Sequence, residues 1–145
     1  VFARNDIPTY KFTEIIYDLG MFYNYTYLMV ERNSYGIDIL QRLHKEKQYA
    51  NLAKTKRKDA ITGRRKWEHG WYSDNVSKTI LVNDLKESVE TGLVLINDID
   101  TLEQMKIYQE KNGKFGNIRG ENNYDDLVDA LALAVQAMKQ GRYYV

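Results

Sequence analysis

The sequence predicts an α/β layer fold, because short apolar runs alternate along the chain with longer segments of helical periodicity. Its 145 residues fit one domain, which can bury about two-thirds of the extended surface. Hydrophobic residues make up 43% and charged residues 28%, and these globular values exclude a disordered or collagen-like chain. We therefore expect a single α/β domain over residues 1–145.

The N-terminal half is predicted to begin with a helix from about residue 8 to residue 23, where apolar residues recur at helical spacing. Residues 27–30 form a continuous apolar run, which predicts a strand buried on both faces and ending at Glu31. A second helix follows, with Ser34 as its expected N-cap. Residues 48–70 are polar and basic around a turn-like centre at residues 61–64, which predicts a protruding β-hairpin.

The C-terminal half is predicted to contain a helix from about residue 77 to residue 91, ended by Gly92, and a strand at residues 93–96. Asp98 is expected to cap a further helical stretch, and Tyr108 to belong to an edge strand. A Gly- and Asn-rich loop is expected at residues 111–123. The last helix, over about residues 123–140, is apolar on most sides, so we expect it to pack against a sheet.

Composition narrows the chemistry that is available to the chain. Cysteine is absent, which excludes disulfides, a thiolate zinc site and a cysteine nucleophile. His44 and His69 are too few for a histidine-rich metal centre, so any metal would be bound by oxygen, as Mg²⁺ and Mn²⁺ are. No apolar run approaches the ~20 residues that span a bilayer and no signal peptide opens the chain, which favours a reducing, cytoplasm-like compartment.

Charge is unevenly distributed along the sequence. The net charge is only +1, but residues 44–66 hold nine basic and two acidic residues and so carry +7, which leaves −6 for the remainder. Cations interleaved with Trp67, Trp71 and Tyr72 suit a phosphate backbone, although a nuclear-localisation tract or a solvated loop has the same composition. The candidate DNA contacts in this stretch are Lys54, Lys56, Arg57, Lys58, Arg64, Arg65 and Lys66.

Two acidic positions are candidates for a metal site. Glu31 follows the most apolar strand, where catalytic groups of α/β sheets collect, but it would also fit a solvated loop in which it pairs with Arg32 or Arg42. Asp125 and Asp126, with Asp129 one turn later, open the last helix. They either complement the helix dipole or relieve their mutual repulsion by binding a divalent cation. Such carboxylates can hold two ions about 4 Å apart, which activate water and stabilise the leaving oxygen of a phosphodiester.

Four blocks of sequence carry a family resemblance in their order and spacing over nearly the whole chain. They are VERNSYG at residues 30–36, GWYS at residues 70–73 followed by Lys78, NGKFG at residues 112–116 and DDLVDALALA at residues 125–134. In these blocks the chain resembles the C-terminal nuclease domain of the large terminase subunit of tailed bacteriophages. The resemblance implies an RNase H-like fold, a mixed sheet flanked by helices with an inserted basic β-hairpin, that cuts concatemeric double-stranded viral DNA during packaging with two Mg²⁺ or Mn²⁺ ions.

The resemblance also implies roles for single residues. Glu31 matches the second acidic station of the family's metal site. Asp126, with its neighbour Asp125, matches the third, and Asp129 has a supporting or purely structural role. The first station, an Asp on the first strand, would lie upstream of Val1, so we expect a truncated domain with weakened metal binding and activity. Lys114 is a further candidate phosphate contact.

Partners follow from the same resemblance. They are double-stranded DNA, an ATPase motor domain, the small terminase subunit and the portal, in the host cytoplasm and without a membrane. The chain itself contains no G-x-x-x-x-G-K-[ST] phosphate-binding loop. Two alternatives remain open at this point: a non-catalytic DNA-binding or docking module, and another RNase H-like nuclease of the resolvase or transposase type.

Overall fold

The computed structural model describes residues 1–59, 61–118, 120 and 124–141, and the chain forms two compact units. Arg4–Ser73 make up the N-terminal unit. Val1–Ala3 and Asp74–Val145 make up the C-terminal unit. The described residues form five α-helices and two small antiparallel sheets, so the molecule is a mixed α and β protein as predicted. None of the described helices is long and apolar enough to cross a membrane.

The N-terminal unit contains two helices and one β-hairpin. Helix α1 (Thr9–Phe22) and helix α2 (Ser34–Gln41) come first, and α2 continues into one π-helical turn (Arg42–Glu46). Strands β1 (Lys54–Lys58) and β2 (Arg65–His69) then pair antiparallel, which confirms the predicted basic hairpin.

The core of the N-terminal unit lies between its helices and the residues that lead into the hairpin. Leu43 and Tyr49 are fully buried, together with Ile39, Leu40 and Leu52, and α1 packs Phe12 and Ile16 against them. The Tyr49 hydroxyl donates a hydrogen bond to the Thr26 carbonyl, and burial raises the pKa of Tyr49 to about 12.

The predicted strand at residues 27–30 is extended backbone with two single parallel bridges, which join Leu28 to Leu52 and Glu31 to Trp71. The Ala53 N–H donates to the Leu28 carbonyl and the Trp71 N–H donates to the Val30 carbonyl, each at 2.8 Å. A continuous ladder does not form because the two ends of this segment pair with two different parts of the chain, at Leu52 and at Trp71. Its residues are also half-buried, where the prediction had them buried on both faces.

The C-terminal unit contains helix α3 (Asn75–Glu90), helix α4 (Ile99–Lys106), strands β3 (Tyr108–Lys111) and β4 (Lys114–Asn117), and helix α5 (Asp126–Gln140). The apolar face of α5 packs against α3 and α4. The prediction that this helix packs against a sheet is therefore wrong. The buried residues of this core are Leu81, Leu85, Val128, Ala132 and Val135.

Two further predictions for the C-terminal unit are corrected. Residues 93–96 form no strand, and Leu95 is 82% exposed, because no other strand pairs with this apolar run in the described part of the unit. The predicted loop at residues 111–123 contains strand β4, which pairs with β3 through a tight turn. The turn residues Asn112 and Gly113 both have positive φ, as two-residue hairpins require. Residues 119 and 121–123 of that predicted loop lie outside the described residues.

Candidate nucleic-acid interface and carboxylate sites

Glu31 occupies the end of the extended segment that the hairpin contacts. The next backbone N–H, that of Arg32, donates to the Trp71 carbonyl at 2.6 Å and fixes the chain at this point. Gly36 of α2 packs on the Glu31 carbonyl so closely that a Cβ at residue 36 would lie 1.8 Å from that oxygen. A glycine is therefore required where the helix passes the end of the segment.

Asn33 links Glu31 to the start of α2. Its side-chain oxygen accepts a hydrogen bond from the Gly36 N–H at 2.8 Å, so Asn33, and not the predicted Ser34, is the N-cap. Its side-chain nitrogen donates to Oε2 of Glu31 at 3.0 Å. One amide thus caps the helix and orients the carboxylate, a role that the sequence reasoning did not assign to Asn33.

The arginines near Glu31 contact other acids. Arg32 lies 3.4 Å from the Glu68 carboxylate and donates to the His69 carbonyl. Arg42 pairs with Asp38 at 3.1 Å. The described contacts therefore do not support the alternative in which Glu31 pairs with Arg32 or Arg42.

The register of the hairpin divides its side chains between two faces. Lys54 pairs with His69, Lys56 with Trp67 and Lys58 with Arg65 across the strands, and directly paired residues share a face. Thr55 and Glu68, with Arg57 and Lys66, lie on the opposite face. We call the first set the basic–aromatic face and the second the paired face. Arg64 lies in the exposed turn between the strands.

On the paired face, the cations already have partners. The Lys66 ammonium lies 3.0 Å from the Glu68 carboxylate and 3.6 Å from that of Asp59. The hydrogen bond from Lys66 lowers the pKa of Glu68, which therefore stays ionised at neutral pH. The Arg57 guanidinium lies over the Tyr72 ring, 4.2 Å from its centre. Positive charge on this face is consequently compensated or packed.

The basic–aromatic face holds four cations, and neither strand contributes an acid to it. Trp67 is 64% exposed in the middle of the face, and the Lys56 ammonium lies 5.7 Å from its ring. The His69 ring lies 4.4 Å from that of His44, and burial, followed by the nearby His44 and Lys54, lowers the pKa of His69. A cleft of about 270 Å³ adjoins the base of this face and is lined in part by Arg32, His44, Lys45, Trp67 and His69.

In the C-terminal unit, Asp125 and Asp126 occupy the start of α5. Asp125 is at the N-cap position, where its side chain makes no capping hydrogen bond, and Asp126 is exposed in the first turn. A Cβ at Gly116 would lie 2.9 Å from Oδ2 of Asp125, so the glycine of β4 leaves the space that this carboxylate occupies.

Asp129 differs from its two neighbours because its carboxylate is bound on both sides. The Lys78 ammonium lies 2.9 Å from one oxygen, and the Tyr108 hydroxyl donates to the other at 3.1 Å. Burial raises the pKa of Asp129 even though Lys78 opposes that shift. These contacts tie α5 to α3 and β3, which fits the structural role that was one of the two expected for Asp129. Lys114, the remaining predicted contact, is exposed at the start of β4 opposite Lys111.

Oxygen ligands of the kind that Mg²⁺ and Mn²⁺ prefer are present in each unit, with Glu31 in one and Asp125 and Asp126 in the other. Asp126 is exposed and Asp125 is partly exposed, so both carboxylates are accessible to an ion. Among the described residues, however, no group of three or more potential metal-binding side chains is gathered at one place. Glu31 in one unit and Asp125 and Asp126 in the other are therefore candidate ligands that the described residues do not gather into a complete site.

No protein-family model matches this chain. A search of the curated proteins finds no significant relative either. Function is therefore inferred from the residues and their contacts.

Proposed function

We propose that this chain belongs to a metal-dependent DNA endonuclease of the terminase nuclease type, with an RNase H-like fold. The observation that carries the proposal is the position of Glu31 within the N-terminal unit. Its carboxylate stands at the end of the extended segment to which both ends of the basic hairpin are hydrogen-bonded. A carboxylate alone would repel a phosphodiester, whereas the cations of a hairpin anchored to the same segment would attract the polyanion.

The proposal assigns metal binding to Glu31, Asp126 and Asp125. Bound Mg²⁺ or Mn²⁺ supplies activation of water and stabilisation of the leaving oxygen. The other residues position these ligands. Asn33 orients Glu31, and Gly116 leaves room for Asp125. Lys78 and Tyr108 fix the first turns of α5 through Asp129.

The biological setting is part of the same proposal and is supported by the sequence resemblance. The substrate is concatemeric double-stranded viral DNA, and the partners are an ATPase motor domain, the small terminase subunit and the portal in the host cytoplasm. Backbone contacts from the hairpin position DNA without reading its sequence, which suits an enzyme that cuts with little sequence preference.

A second candidate is a non-catalytic DNA-binding module. It is favoured by the basic–aromatic face, which needs no metal to bind a polyanion, and by the dispersal of the carboxylates among the described residues. The two candidates differ in their dependence on a divalent ion. A resolvase or transposase type of nuclease would share that dependence and differ only in its DNA substrate.

The decisive experiment compares Asp126→Ala with Asp100→Ala. Both residues are exposed acids in the first turn of a helix, so both substitutions remove the same charge from the same helix-dipole environment. Loss of an outer partner of a metal ligand already weakens metal binding by about 10–100-fold, so loss of a ligand itself is expected to cost Asp126→Ala at least about 100-fold. Isothermal calorimetry with Mn²⁺ measures this, and Mn²⁺-dependent nicking of plasmid DNA is followed in parallel.

Asp100→Ala is expected to bind Mn²⁺ as the unmodified chain does. If Asp126→Ala also does so, the metal-binding assignment is wrong and the non-catalytic module becomes the better interpretation. DNA binding in EDTA is expected to be the same for both variants, because neither residue lies on the hairpin.

A further inference from the structure

The hairpin that the sequence presents as one block of positive charge has two unlike faces. The four cations of the basic–aromatic face share it with Trp67 and His69. On the paired face, Arg57 and Lys66 share their surroundings with Glu68 and Asp59. We propose that the hairpin binds double-stranded DNA through the basic–aromatic face alone, and that the paired face holds the hairpin together. This inference rests on the proposed function for its choice of DNA as the ligand.

Electrostatics favours the basic–aromatic face. Its formal charge is +4 when His69 is neutral, and burial keeps the pKa of His69 below its usual value. On the other side of the hairpin, Glu68 and Asp59 oppose the charges of Arg57, Lys66 and Arg32, so the paired face and its surroundings carry about +1. A phosphate approaching Lys66 would compete with a carboxylate that is already 3.0 Å from the ammonium. Release of counterions from DNA is therefore driven mainly by the first face.

The geometry of the strands also favours the basic–aromatic face as the DNA-binding face. Alternate residues of a strand lie on one face about 7 Å apart, so Lys54, Lys56 and Lys58 form a row of three lysines along the basic–aromatic face. Arg65 lies across the strand from Lys58 and extends the row sideways. An exposed row of this kind matches a regularly charged, extended polymer better than it matches a small anion.

Trp67 supplies the non-electrostatic part of the interface. A tryptophan that is 64% exposed at the centre of a cationic face offers a large flat surface for contact with the sugars and groove edges of a duplex. Binding to a membrane surface would call for several apolar side chains on the same face, and Trp67 is the one large apolar residue that β1 and β2 place there. A nucleic acid is consequently favoured over a membrane surface, and the proposed function makes that nucleic acid duplex DNA.

The test compares two double variants that remove equal charge from adjacent positions. Lys56→Gln with Lys58→Gln changes the basic–aromatic face, and Arg57→Gln with Lys66→Gln changes the paired face. Affinity for a 20-base-pair duplex is measured by fluorescence anisotropy in EDTA at several salt concentrations. The first variant is expected to bind at least tenfold more weakly and to lower the slope of log K against log salt by about 2. The second is expected to change affinity less than about twofold.

Lysine footprinting on the unmodified chain avoids any effect of the substitutions on folding. Acetylation rates with and without duplex DNA are compared by mass spectrometry. Lys54, Lys56 and Lys58 are expected to be protected by DNA, and Lys66 is expected to react equally in both samples. Equal protection of all four lysines would overturn the one-face proposal. Equal loss of affinity in the two double variants would also overturn it, provided that circular dichroism shows both variants to be folded.

Two further measurements distinguish this inference from purely electrostatic binding and from binding to a lipid surface. Trp67→Leu is expected to weaken DNA binding about fivefold without changing the salt slope, because it removes a flat contact surface and no charge. Binding to vesicles of anionic phospholipid at the same affinity as DNA would contradict the choice of occupant. All these measurements are made without a divalent ion, so their failure would leave the metal-dependent cleavage tested with Asp126→Ala unaffected.

Discussion

Asn33 shows how one side chain can serve both stability and chemistry. Its oxygen caps α2 and its nitrogen holds Glu31, so the same amide fixes the helix and the carboxylate relative to each other. The sequence predicted a cap at this point but placed it at Ser34, because both residue types favour that position and only the backbone conformation distinguishes them. Likewise, the sequence marks Gly36 only as a glycine, and its contact with the Glu31 carbonyl depends on the way the chain folds back.

Substitution of Asn33 is expected to separate these two roles. Asn33→Ser keeps a capping oxygen but is too short to reach Glu31, whereas Asn33→Ala loses both contacts. We expect the free energy of unfolding to fall by about 1 kcal/mol in Asn33→Ala and to change by less than about 0.5 kcal/mol in Asn33→Ser. Urea denaturation followed by circular dichroism measures both. Mn²⁺-dependent cleavage is expected to fall about 10–100-fold in each variant.

Cleavage that survives in Asn33→Ser but not in Asn33→Ala would show that Asn33 acts only through helix stability. The hydrogen bond from the Asn33 amide nitrogen to Glu31 would then make no contribution to cleavage. Tyr35→Ala, at an exposed position in the same helix, serves as the control for changes that affect neither the cap nor Glu31.

At the scale of elements, the sequence predicts helices and hairpins correctly where nearby residues determine the structure. It fails where the structure depends on pairing with a segment far away in the chain. Helices α1, α3 and α5 and the basic hairpin follow from periodicity and turn residues. The run at residues 93–96 is apolar enough for a strand, but a strand also needs a neighbour to pair with, and composition does not reveal one. The β3–β4 hairpin has a local signal, the Asn112-Gly113 dipeptide, but such a dipeptide is also common in loops, and its flanking residues lack the clear apolar alternation of strands.

The cap of α3 is expected to make stability depend on pH. The Asp74 carboxylate accepts a hydrogen bond from the Ser77 N–H at 2.7 Å, and this bond lowers the pKa of Asp74. The stabilisation is therefore present above the ordinary pKa of an aspartate, about 3.9, and is lost as pH falls through the lower folded value. Asp74→Ala is expected to cost about 1 kcal/mol of unfolding free energy at pH 7.

Urea denaturation at pH 7 and at pH 2.5 measures the effect. The difference between Asp74→Ala and the unmodified chain is expected to shrink at the lower pH, because the protonated carboxyl is a weaker acceptor. Asn75→Ala, at the next and exposed position, is expected to show little change at either pH. A difference that persists in full at pH 2.5 would mean that the ionised cap is not the stabilising feature.

At the scale of the whole molecule, the two units differ in net charge and each has its own core. The N-terminal unit holds thirteen basic and eight acidic residues and carries +5, while the C-terminal unit carries −4. Each unit also has its own buried set, around Leu43 and Tyr49 in one and around Val128 and Val135 in the other. The sequence revealed the charge segregation by simple counting. The division into two cores could not be predicted from the sequence, because it depends on which apolar helix faces pack against each other.

Separate cores lead to a prediction about local stability. Leu43 is fully buried, so Leu43→Ala is expected to destabilise the N-terminal unit by about 3 kcal/mol. Hydrogen exchange followed by mass spectrometry is expected to accelerate in α1, α2 and β1 and to change much less in α3 and α5. Equal acceleration in both units would show that they unfold as one, and Leu95→Ala, at an exposed position, is expected to change neither.

The attachment of the basic hairpin at both of its ends has a mechanical consequence. Its two strands leave the body of the N-terminal unit from Ala53 and Trp71, which are hydrogen-bonded to the carbonyls of Leu28 and Val30. Each strand is five residues long, so the hairpin is a lever with an arm of about 17 Å whose fulcrum is the backbone beside Glu31. Under the proposed function, a sideways pull by bound DNA on the tip would become a torque on that backbone. Tension in the DNA would then act on the segment that carries the Glu31 carboxylate.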